Sequence, residues 1–148
     1  MSSAPFPSDI MRGSVITEAL AAPGAGAVFD YVLPGFFNYE LQFLTFQLTA
    51  SAAVANRNVT ITIEDDTPNL LWRCSPIIVQ TAGQVRTYHA SQLSAPNTIV
   101  YPNALQLALP PRNLLRPGYH ISLAIDAMDA ADQITDIFIH LIRHAMPG

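Results

Sequence analysis

The chain has 148 residues, of which 12% are charged and 50% hydrophobic, and its formal net charge is −4. That length suits one domain, in which about 25% charged residues would be ordinary. Disorder is excluded by the many β-branched and aromatic residues, and no apolar run approaches the roughly 20 residues of a membrane helix.

Met1 to Arg12 reads as an N-terminal arm, ahead of a single domain over 13–148. Pro5 and Pro7 block helix there, while Phe6, Ile10 and Met11 are apolar groups able to dock on a neighbour. The arm lacks the basic start and apolar stretch of a signal peptide, so synthesis in a cytoplasm is expected. Gly13 to Leu20 predicts a strand, and Ala21 to Gly26 a loop. Ala27 to Leu33 predicts a strand closed by the Pro34-Gly35 turn.

Asn38 to Ala50 carries the clearest pattern. Tyr39, Leu41 and Phe43 share one phase of the alternation, and Leu44, Phe46 and Leu48 share the other. Strand side chains repeat every two residues, so the slip requires a bulge near Phe43-Leu44. Asn58 to Glu64 alternates cleanly through Val59, Ile61 and Ile63, and is expected to form a hairpin with the preceding strand. Asp65 to Asn69 is a turn. Leu70 to Ser75 is a strand with Trp72 at a core edge, followed by short strands over Ile77 to Gln80 and Val85 to His89.

Ile99 to Leu109 predicts one strand, stopped by Pro110-Pro111. A turn at Pro117-Gly118 precedes a strand from Tyr119 to Ala127. Asp129 to Gln133 connects to a last strand, Ile134 to His144, with Ile137, Ile139 and Leu141 on one face. About eight or nine strands separated by regular turns predict an all-β antiparallel two-sheet sandwich with jelly-roll or Greek-key connections.

The search for chemistry yields no catalytic, cofactor or metal residues. All seven basic residues are Arg and are scattered, unlike the clustered cations of a nucleic-acid binder. Cys74 is the only cysteine, which excludes an intrachain disulfide. Its expected state is a half-buried thiol. His140 and His144 suit a metal only on a helix; on a strand they share a face about 13 Å apart at roughly 3.3 Å per residue. Asp126, Asp129, Asp132 and Asp136 lack the spacing of a calcium loop and read as turn residues. Arg57 and Arg73 are expected to pair with Asp65, Asp66 or Asp132. Few charges remain to coat the outside, so Thr, Ser, Asn, Gln and Ala must form it, as on surfaces that another protein covers.

Two stretches carry a family resemblance. The first is Val54 to Asp66 (VANRNVTITIEDD) followed by Leu71-Trp72-Arg73. The second is Leu109-Pro110-Pro111, then Leu115 to Tyr119 (LRPGY), then Asp129 to Gln133 (DAADQ). They resemble small β-sandwich virion structural proteins of tailed bacteriophages. The resemblance implies a capsid decoration (cement) protein, not an enzyme, sited at the capsid surface of a virion. Its implied partners are the major capsid protein or other virion proteins. A homo-oligomer is expected, a trimer by preference because it matches a local three-fold position, with no nucleic acid and no membrane. The arm residues Pro5, Phe6, Pro7, Ile10 and Met11 are the candidate partner interface. The alternative is a tail-associated or receptor- or carbohydrate-binding module, which would need an exposed aromatic platform from Tyr31, Tyr88, Tyr101 or Trp72.

Overall fold

The alternating segments fold into two stacked sheets. The structure is a computed structural model describing residues 14–76, 78–92, 98–101 and 104–145. The expected arm and its interface residues lie outside the described residues.

Ten strands form among the described residues, and no helix. They are β1 (Ser14–Leu20), β2 (Asp30–Val32), β3 (Phe37–Thr49), β4 (Asn58–Glu64), β5 (Leu70–Cys74), β6 (Val85–Ser91), β7 (Thr98–Tyr101), β8 (Ala104–Ala108), β9 (His120–Asp126) and β10 (Gln133–Ala145). One sheet has the order β1-β10-β3-β6-β8-β7 and the other β2-β9-β4-β5. The pairs β1/β10, β2/β9, β3/β6 and β4/β5 are antiparallel and nested. They alternate between the sheets, as when one long antiparallel ribbon is rolled up. That is the jelly-roll winding. β7 and β8 extend the larger sheet beyond β6, with β8 parallel to β6.

The core lies between the sheets. Leu44, Phe46, Leu48, Ile137, Ile139 and Leu141 face Val59, Ile61, Ile63, Ile121 and Leu123 across it, all buried. Tyr88 stacks on Phe46 at 5.0 Å, and Phe29 meets the same ring edge-on at 5.8 Å. Offset and edge contacts of this kind are the favoured aromatic geometries.

The phase slip in β3 is present. Tyr39 and Leu41 are buried, then Leu44, Phe46 and Leu48. The extra residue is Gln42, since Leu141 pairs with Leu41 and His140 with Phe43. The bulge therefore comes one residue earlier than expected and turns Phe43 outward. A second bulge, in β10, places Asp136 and Ile137 opposite Phe46. Asp136 adopts φ 52°, a conformation that Asp tolerates better than most side chains.

Several expectations are corrected. β3 and β4 form no hairpin; they belong to different sheets. Residues 51–57 cross between them, held by the buried Arg57 side chain. Ile99 to Leu109 is not one strand but two, β7 and β8, which fold against each other. In the expected strand Ile77 to Gln80, Ile77 lies outside the described residues and Gln80 makes only an isolated bridge to Arg57. The ladder at Ala27 to Leu33 shrinks to Asp30–Val32, because Ala27 donates to Gly24 O in a turn. Asp129 to Asp132 form a turn, with Asp132 N donating to Asp129 O.

Candidate interaction surface

Polar side chains that are buried here serve the fold. Arg57 Nε and Nη2 donate to the two oxygens of Asp132 at 2.9 and 3.0 Å, and Arg57 Nη1 donates to Ala53 O and Ala55 O. Ser51 N and Asp129 N also donate to the Asp132 carboxylate. Burial alone would raise the Asp132 carboxyl. The hydrogen bonds from Arg57 and the two amides, with the Arg57 charge, outweigh it and hold the group down at about 2. The expected Arg57–Asp132 pair is thus real and structural.

Asp129 does similar work. Asp129 accepts from Ser51 Oγ and Ala131 N, and Asp126 is exposed at the end of β9. Among the described residues no three His, Cys, Asp or Glu side chains converge as metal ligands. Asp65 closes its own turn, accepting from the amides of Thr67 and Asn69. Cys74 is half-buried, and burial pushes its thiol up.

The aromatic residues named for a platform do not share a surface. Tyr88 is fully buried and Tyr31 half-buried, its hydroxyl pushed up to about 12 mainly by burial and then by Glu18. Trp72 stands opposite Ile63 in the ladder yet is 36% exposed, at the rim of the core. The side chain of Tyr101 lies outside the described residues.

The two outer faces differ in chemistry. On the four-stranded sheet, Thr62 and Ser122 hydroxyls meet at 2.7 Å, and Asp30 pairs with His120 at 3.0 Å. Glu64, Arg73 and Asp126 add charge around them. The six-stranded sheet presents Val15 and Thr17 from β1, Phe138, His140 and Ile142 from β10, Phe43, Thr45 and Gln47 from β3, and His89 from β6. Among the described residues, this face carries no carboxylate or Arg between the Glu40–His144 pair at one end and the Asp136 bulge at the other.

Phe43 is the centre of that face. Its ring lies 5.7 Å from the His89 ring and 6.5 Å from the His140 ring. Thr45 Oγ1 meets His89 Nδ1 at 3.2 Å, and Thr17 Oγ1 meets His140 Nε2 at 2.7 Å. Burial lowers the His89 imidazole below its ordinary value. A groove of about 300 Å³ opens beside Phe43, walled by Val15, Gln42, Phe43, His140 and Ile142. Val15 is 67% exposed and Phe138 42%. Exposed apolar side chains beside an open groove are candidate contacts for a partner.

A second feature lies at one end of the sandwich. Phe36, in the β2–β3 turn, is 88% exposed and takes φ 81°. A bulky side chain in the left-handed region is a true outlier. Nearby, Leu115 bridges to Tyr39 and Leu114 is 58% exposed. Sequence reasoning missed both features. The one available signal for Phe43 was the phase slip itself, because an odd residue in a strand must change faces.

Comparison with protein families, with curated proteins and with solved structures finds no match.

Proposed function

We propose that the chain is a virion structural subunit, a capsid decoration protein that binds the outer shell and stabilises it. The observation that carries the reading is the outer face of the six-stranded sheet. It is a broad surface of Thr, Gln, His and aromatic groups centred on Phe43, without carboxylate or Arg between its two ends among the described residues. Such a surface gains by being covered, since little charge has to be desolvated when a protein packs on it.

Two further points support the reading. Jelly rolls recur in viral capsid domains, although they also occur in lectins, so this support is a fold-level analogy. The sequence stretches Val54 to Asp66 and Leu109 to Gln133 add their resemblance to phage virion proteins.

The test is sedimentation of the purified protein with capsids stripped of accessory proteins. The expected result is saturable co-migration with capsids and a higher shell melting temperature. Co-migration with tails but not shells would move the protein to the tail. A persistent monomer that joins neither would end the reading.

A further inference from the structure

We infer that the groove walled by Val15, Gln42, Phe43, His140 and Ile142 is the seat of the N-terminal arm of a second copy of this chain, with Phe6 as the inserted side chain. This deepens the proposed function, resting on it only for the idea that several copies assemble side by side.

The occupant follows from where the chain leaves the fold. β1 begins at Ser14, on the edge of the six-stranded sheet, and Val15 is already a wall of the groove. The arm therefore starts at the lip of the surface it would cover. Its residues Phe6, Ile10 and Met11 match an apolar groove, and Pro5 and Pro7 disfavour helix in the segment that carries Phe6. Eight residue steps lead from Phe6 to Ser14, about 26 Å of extended chain, whereas the groove spans two strand spacings, roughly 10 Å. Phe6 can thus reach past its own groove to that of a neighbour.

Area points the same way. The outward face of β1, β10, β3, β6 and β8 covers on the order of 700 Å² at ordinary strand spacings. A stable interface needs about 800 Å² from each partner. Face contact alone falls short, and an exchanged arm of a dozen residues supplies the difference. Each copy gives an arm and receives one, so the exchange closes into a pair or a ring.

The test uses the full chain with Phe6 replaced by the photo-crosslinker p-benzoylphenylalanine, mixed as ¹⁴N and ¹⁵N copies before irradiation. The expected products are mixed-isotope cross-links from position 6 to peptides containing Gln42 and Phe43 or His140 to Ile142. They should disappear in an Ile142→Glu groove variant whose melting curve shows it folded. Cross-links only within one isotope would place the arm on its own chain and overturn the inference. Cross-links to another surface, or none, would overturn it as well. The measurement needs no capsid: loss of the arm exchange leaves capsid binding to be judged by sedimentation, and failure of capsid binding leaves the cross-links standing.

Discussion

Arg57 and Asp132 lie 2.9 Å apart with side chains fully buried, at the point where the chain crosses between sheets. Removing one partner leaves an uncompensated buried charge, which costs about 3–5 kcal/mol. Arg57→Ala should therefore lower the melting midpoint by roughly 10 °C. The double variant Arg57→Met with Asp132→Leu should lose less than either single change. The pair also sets a pH response. The Asp132 carboxyl is held below its ordinary 3.8, at about 2. Its contribution is complete above pH 3.8 and is lost as pH falls from there toward 2. Asp65 and Asp129 are lowered too, so the informative quantity is the difference in denaturation midpoint between the native protein and Asp132→Asn. That difference should shrink through the same acid window. Phe36 makes the opposite case. It gains almost no burial, yet holds a left-handed backbone that costs about 1–2 kcal/mol for most residues. Phe36→Asn should raise stability by about 1 kcal/mol in urea denaturation, since Asn tolerates this conformation.

At the scale of elements, the β3 bulge is the decisive local feature. Gln42 interrupts the ladder to β10, and the Leu41 backbone beside it is taken over by side chains. Asn113 Oδ1 accepts from Leu41 N at 2.7 Å, while Asn113 Nδ2 and Gln92 Nε2 donate to Leu41 O. The long β8–β9 connection thus clasps the bulge that turns Phe43 outward. Asn113→Ala leaves the Leu41 amide without its acceptor, a loss of about 1–3 kcal/mol. The expected signature is local: faster hydrogen exchange at Leu41, with the amides of β4 and β9 protected as before. Uniformly faster exchange would mean that Asn113 supports the sandwich as a whole instead of the bulge.

For the whole molecule, the distribution of charge matters more than its amount. Among the described residues, the four-stranded face carries Asp30, Glu64, Arg73 and Asp126, while the larger face is bare of such groups over its centre. Association through that larger face should depend weakly on salt, since screening acts on charges. Its dissociation constant, measured by sedimentation equilibrium, should change less than about threefold between roughly 0.05 and 0.5 M salt. A phosphate-binding surface would lose orders of magnitude over such a range.

What the sequence determined by itself was the class of fold and the positions where the alternation breaks. Val59-Ile61-Ile63 and Leu44-Phe46-Leu48 name their inward faces because the side-chain period of a strand is two. The spacing of Ile134, Ile137 and Ile139 also contained the second bulge, though its signal lay in a single extra residue. The Arg57–Asp132 pair was legible as a possibility, because a charge in so apolar a chain needs a partner. Only the tertiary structure decided the rest. Alternation says that a strand has an inner face, but not which strand lies beside it. Hence the expected β3–β4 hairpin became a crossover between sheets, and the nested pairing of β1 with β10 and β2 with β9 emerged from residues far apart along the chain, such as Leu20 with Ile137 and Asp30 with Ser122. The interaction surface was hidden for the same reason. Val15, Phe43, His89 and His140 lie on four different strands, and only rolling the ribbon into a sandwich sets them side by side.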